Sequence, residues 1–174
     1  KNEGCFRGPF FILEGHMEKT LFIDTHAHLD DKRFSEDLDA VVARAKDAGL
    51  KSMITVGCWK KEGGFSSVLD VLKKYDSLWL ALGVHPHEAK DAVEDGPWDE
   101  IKRIALEKGT KLVAIGETGL DYHYDHSPRE AQKKVFARQI ALARELNLPL
   151  IVHSREADAD TMEILKSERS EERR

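Results

Sequence analysis

Five short apolar runs constrain this chain more than any other feature. They fall at residues 21–25, 53–56, 78–84, 112–115 and 148–152, so each begins roughly 30 residues after the last. Strands covered on both faces read as continuous runs of this kind. Between the runs, the apolar residues switch to a helical period. Over residues 35–48, Leu38, Val41, Val42 and Ala45 share one helix face, and Gly49 stands where a C-terminal cap belongs. Residues 66–75 repeat the pattern with Val68, Leu69, Leu72 and Tyr75. Pro97 opens a third helix carrying Ile101, Ile104 and Ala105, which Gly109 ends. A capping box of Ser127, Pro128 and Glu130 starts a fourth. A fifth begins near Asp158 with Met162 and Leu165.

Strands and helices alternating at this spacing are consecutive βα units, which build either an open doubly wound sheet or an eightfold barrel. The first strand is followed by His26-Ala27-His28 and not by a glycine-rich phosphate loop, which selects the barrel. A whole barrel takes about 250 residues. The expectation is therefore an incomplete α/β, TIM-like (β/α) barrel with about five of eight parallel units, in the order one to five. Strands one and five would form open edges that favour self-association.

Residues 1–16 show no period and read as a leader, either vector-derived or upstream sequence, with Met17 as the start of a barrel domain over 17–165. Residues 166–174 read as a charged tail without an apolar face. The chain carries 27 basic and 32 acidic residues, a net charge of −5. Mixed charge without low-complexity tracts argues against disorder, and the mild acidity argues against a protein that coats DNA. Any nucleic-acid contact must come from a local site. No apolar run approaches the roughly 20 residues of a membrane span. The stretch at 10–13 is too short for a signal-peptide core. Two cysteines, Cys5 and Cys58, make no disulfide framework, so a cytoplasmic setting is expected.

Reactive groups of βα barrels sit at the C-terminal ends of the strands. The first run leads into His26 and His28, two apart on an extended chain and so able to reach one metal ion. The third leads into His85 and His87, the fourth into Glu117 and Asp121, the fifth into His153 and Arg155. Five of the eight histidines lie at such ends, a concentration that points to a metal centre. His123 and His126 read as solvated loop residues, and Cys58 as a small buried one. Nitrogen and carboxylate donors suit Zn, Mn, Fe or Ni, with Mg at a carboxylate-rich second site. Glu117 is the strand-end carboxylate placed to bridge two ions.

Asp24-Thr25-His26-Ala27-His28-Leu29, Gly83-Val84-His85-Pro86-His87, Gly116-Glu117-Thr118-Gly119-Leu120-Asp121 and Val152-His153-Ser154-Arg155 resemble, in order and spacing, the signatures of the TatD-type metal-dependent deoxyribonucleases. These are TIM-like barrels of the metallo-dependent hydrolase superfamily that cleave DNA with divalent cations. The resemblance implies His26 and His28 on one metal, Glu117 bridging, His153 on the second metal and His85 beside the scissile phosphate. Arg155 would clamp a phosphate oxygen. His87 lies outside the metal ligands and is assigned with Arg155 to substrate binding, and Asp121 orders the loop or supports a ligand. Two divalent ions (Mg, Mn or Zn) are implied as cofactors and DNA as substrate.

The sequence departs from the family at the end: the metal-binding His of a sixth strand and the Asp of an eighth have no counterpart, and the residues after Leu165 do not resemble a sixth strand. A fragment with impaired activity is the expectation. The alternatives are an amidohydrolase-like enzyme and a non-catalytic metal-binding module. Related amidohydrolase barrels often use a carbamylated Lys on the fourth strand, and residues 112–115 contain none.

Overall fold

A computed structural model describes residues 21–171. The leader, Met17, Cys5 and the apolar stretch at 10–13 lie outside the described residues, as do residues 172–174 of the expected tail. The strands are β1 (Phe22–Ala27), β2 (Leu50–Cys58), β3 (Leu78–Gly83), β4 (Leu112–Asp121) and β5 (Leu150–Arg155). They form one sheet in the order β1-β2-β3-β4-β5, every neighbouring pair parallel. Between them run α1 (Leu38–Asp47), α2 (Ser66–Leu72), α3 (Ala89–Asp95), α4 (Trp98–Leu106) and α5 (Arg129–Glu145), and α6 (Asp158–Glu171) follows β5. This is the expected run of five βα units of a TIM-like barrel. None of the described helices is long and apolar enough to cross a membrane.

Side-chain alternation along the strands divides the core. Leu80, Leu82 and Ile115 point to the helices and pack with Phe65, Val68, Trp98, Ile101, Ile104 and Val135. The residues between them are small: Val56, Ala81 and Ala114 meet Ile54 and Ile151 in a separate cluster on the other face. At the sheet edges apolar surface stays open, with Phe22 54% and Val152 39% exposed.

Four elements differ from the sequence reading. β4 runs six residues past Ile115, so Glu117 lies inside the strand and not after it, as His26 and His153 lie inside β1 and β5. Ser127 does not cap α5. Pro128 stands at the N-cap, while the Ser127 hydroxyl donates to the His87 carbonyl at 2.7 Å and accepts the Lys90 N–H at 3.1 Å. A buried hydroxyl with two partners around the start of α3 gains more there than from one cap bond. Residues 166–171, expected as tail, continue α6, and Arg144 Nη1 of α5 donates to the Glu168 carbonyl at 3.1 Å. Helix α3 has no counterpart in the sequence reading.

Candidate metal centre

Glycine lets β4 and β5 bring their functional groups face to face. Gly119 is paired with His153 across the ladder, and a Cβ on Gly119 would lie 2.0 Å from the His153 carbonyl oxygen. The φ of Gly119 is +140°, a region that side chains rarely adopt. With this close approach, His153 Nδ1 reaches Glu117 Oε1 at 3.0 Å.

The other oxygen of Glu117 faces the opposite way. Oε2 lies 3.3 Å from His26 Nε2 and 3.4 Å from His28 Nε2, and the two nitrogens are 3.2 Å apart. These edges are longer than good hydrogen bonds. They match a tetrahedral ion with bonds of about 2.0–2.1 Å, whose neighbouring ligand atoms lie roughly 3.3–3.4 Å apart. The His28 ring is oriented from behind, with Nδ1 3.0 Å from the Val56 carbonyl. With Nδ1 donating there, Nε2 is the atom that faces the centre, and it becomes a donor to a cation once its proton leaves. A second group, His85, Glu117 and His153, offers ligand atoms all within 4.8 Å of one another.

Asp121, 1% exposed, supports this group from below. Its Oδ1 accepts the N–H groups of His123 (3.1 Å) and Tyr124 (3.0 Å), while Oδ2 faces His153 Nε2 (3.1 Å) and His87 Nε2 (3.0 Å). His85 Nδ1 accepts the His87 N–H at 3.3 Å. Of the sequence-derived candidates, His26, His28, His85, Glu117 and His153 therefore converge. His87 stands one side chain away on Asp121. Arg155 stands further out, its guanidinium 4.6 Å from the Tyr124 ring centroid. His123 and His126 are exposed but engaged, His123 with Glu156 at 2.7 Å and His126 against the rings of His87 and Tyr124.

The charges follow from these contacts. Burial alone raises the Glu117 carboxyl, yet contacts with His153 and His28 and the fields of His85 and His26 together hold it well below the usual carboxylate range. Asp121 is held low in the same way, by the Tyr124 N–H and by His87 and His153, against burial. Contact with the Cys58 thiol and with Glu117 raises His28 to about 10, while burial pushes the Cys58 thiol up. Contact with Glu117 also raises His153. Burial lowers His85 to about 4, so its imidazole is neutral at pH 7. Two carboxylates kept ionised among five imidazoles form a donor set suited to divalent cations such as Zn and Mn.

Sequence reasoning missed two residues that position the site. Buried Gln139 accepts the Val84 N–H at 2.8 Å and donates to the Val84 carbonyl at 3.0 Å, one residue before His85. Buried Gln132 does the same for Asp121, accepting its N–H at 2.7 Å and donating to its carbonyl at 3.1 Å. They lie seven residues apart on the stripe of α5 that also buries Val135, Phe136, Ile140 and Ala143. Two amides on an otherwise apolar helix face were the available signal.

Comparison with known proteins identifies the family. Residues 23–174 match the family described as TatD related DNase. The chain is 42% identical over 152 residues to an uncharacterized metal-dependent hydrolase of Bacillus subtilis, covering 87% of this chain and 57% of that protein. It is 37% identical over 134 residues to the 3'-5' ssDNA/RNA exonuclease TatD of Salmonella typhimurium, covering 77% and 50%. The crystal structure of a TatD homolog from Escherichia coli K12 superposes with a TM-score of 0.71 at 33% identity, over 84% of this chain and 56% of that one. The fold and the match over most of the chain are those of a family whose relatives include proteins named metal-dependent hydrolases. The chain belongs to the TatD-related family. It spans about half the length of the curated relatives it matches.

Proposed function

We propose that this chain takes part in the metal-dependent hydrolysis of phosphodiester bonds in DNA, with His26, His28 and Glu117 holding one divalent cation and Glu117 and His153 a second. The observation that carries this reading is the division of the Glu117 carboxylate, with Oε2 toward two imidazoles and Oε1 toward a third. Paired Mg, Mn or Zn ions supply an activated water and stabilise a leaving oxygen in phosphoester hydrolysis. The chain's own residues do the rest. Neutral His85, set beside His153 with ring centroids 4.7 Å apart and with Nδ1 accepting the His87 N–H, can donate a hydrogen bond from Nε2 to the reacting phosphate. Asp121 fixes the His153 ring, and Arg155 offers a planar pair of donors to a phosphate oxygen. The relative named as a 3'-5' ssDNA/RNA exonuclease supports a single-stranded nucleic-acid substrate. Strand β4 carries no lysine from Leu112 to Asp121, which disfavours amidohydrolase chemistry built on a carbamylated lysine. A free thiol at Cys58 suits a reducing, cytoplasmic compartment.

The described residues supply five βα units, and the ligands that the family draws from later strands have no counterpart in the sequence. Turnover by this chain alone is expected to fall far below that of a full-length relative. Cleavage of labelled single-stranded DNA with Mg²⁺ or Mn²⁺, run beside a calorimetric Mn²⁺ titration, tests both parts. Two bound ions and slow cleavage, both lost or strongly weakened in Glu117→Gln, are expected. No metal binding, or cleavage indifferent to Glu117, would overturn the reading.

A further inference from the structure

The loop that leaves β4 carries an aromatic and cationic shelf beside the metal centre. Tyr124 is 50% exposed, and its ring is parallel to that of His126, at an interplanar angle of 3° and a centroid distance of 5.5 Å. Arg155, from the end of β5, lies over the same ring at 4.6 Å. The edge of His87 meets Tyr124 at 5.6 Å, and His87 shares Asp121 Oδ2 with His153. One imidazole therefore separates the shelf from the residues around Glu117.

The shelf is held rather than loose. Asp121 Oδ1 accepts the Tyr124 N–H, Arg129 pairs with Asp125 at 3.0 Å, and the Ser127 hydroxyl ties the loop to the His87 carbonyl. A guanidinium stacked on a ring keeps its N–H donors in its own plane, where they remain free for phosphate oxygens. No carboxylate pairs with Arg155 among the described residues. Nucleobases stack on exposed aromatic rings whatever their sequence, and arginine adds to such stacks.

We infer that Tyr124 is a base-stacking platform for a nucleotide next to the scissile phosphodiester, and that the same ring holds Arg155 ready for that nucleotide's phosphate. The inference rests on the nucleic-acid reading above and goes beyond it. It makes Tyr124 a positioning residue that favours unpaired bases over duplex, because a base inside a duplex has no free face to offer.

The test compares two hydrolysis-resistant phosphorothioate strands of equal length, a thymidine decamer and its abasic equivalent, by fluorescence anisotropy with Mn²⁺ present. Tyr124→Ala should bind the thymidine strand roughly 5- to 100-fold more weakly, the range expected for losing one base stack. On the abasic strand it should lose less, at most what Arg155→Ala loses there through the freed guanidinium. Tyr124→Phe should behave like the parent on both strands, and Arg155→Ala should weaken both. Parental affinity of Tyr124→Ala for the thymidine strand would overturn the inference while leaving the phosphodiester reading intact. If the parent binds neither strand but hydrolyses methyl p-nitrophenyl phosphate with Mn²⁺, the nucleic-acid reading fails and this inference fails with it.

Discussion

Gln139 closes on the backbone of Val84 from both sides, Oε1 on its N–H at 2.8 Å and Nε2 on its carbonyl at 3.0 Å. The same Nε2 meets the hydroxyl of buried Thr118. Gln139→Leu keeps the approximate volume but strips partners from three buried groups. Each buried polar group left unpaired costs about 1–3 kcal/mol, and relaxation recovers part of that, so a net loss of about 3 kcal/mol is expected. Urea unfolding should show a lower midpoint with an unchanged slope. A loss below about 1 kcal/mol would mean that the clamp is dispensable.

Glu117 faces three imidazoles, whereas His87 faces only Asp121 among the charged groups of the site. Glu117→Gln removes the charge between the two ligand groups without changing the volume. It should abolish or weaken Mn²⁺ binding by at least about tenfold, the scale on which even supporting residues of a metal site act. His87→Asn should cost much less. Calorimetric titration of both variants decides the point, and equal losses would remove the distinction between ligand and neighbour.

Much of this arrangement was legible in the sequence because burial on both faces leaves a continuous apolar run. Residues 78–84 and 112–115 marked β3 and the start of β4 on that ground alone. The remainder of β4 was not legible. Gly116-Glu117-Thr118-Gly119 is polar and glycine-rich, and it pairs with β5 through a register shift that alternation cannot foretell. Helix α3 was missed because its seven residues are mostly small or charged and bury only Ala89 and Ala92. The histidines pointed to a candidate metal centre by their positions at or near the C-terminal ends of the strands. The division of Glu117 between Oε1 and Oε2 depends on how β1 and β5 flank β4, a tertiary fact.

The pH dependence of the metal-free protein has two limbs of opposite sign. His85 is lowered from 6.5 to about 4 by burial, so the unfolded chain takes up a proton that the native state refuses. Its contribution to stability is present above 6.5 and is lost as the pH falls through 4. His28 is raised from 6.5 to about 10 by Cys58 and Glu117, so its contribution is present below 6.5 and is lost as the pH rises through 10. Urea midpoints measured in chelator from about pH 4 to about pH 10 should fall at both ends. His85→Asn should flatten the acid limb and His28→Asn the alkaline one. An acid limb unchanged in His85→Asn would show that the carboxylates alone govern it.

Gly119 ties the backbone of β4 to the position of His153, a proposed ligand on β5. A methyl group there would sit 2.0 Å from the His153 carbonyl oxygen, and the φ of +140° is unfavourable for alanine even without that clash. Backbone, not a flexible side-chain end, must move to make room, so β5 shifts at His153. The His26 and His28 side, carried on β1 and oriented by Val56 of β2, does not depend on this contact. Gly119→Ala should therefore lower stability by about 1–3 kcal/mol, the usual range for forcing a residue into a sparsely populated backbone region. It should also reduce the Mn²⁺ stoichiometry from two ions to one rather than abolish binding. Gly109→Ala supplies the comparison, since Gly109 also has a positive φ, +78°, but nothing lies within 4 Å of an added Cβ. That variant should lose stability through its backbone strain and keep both ions. If Gly119→Ala retains two ions at parental affinity, the approach of β4 to β5 at this point does not set the position of His153.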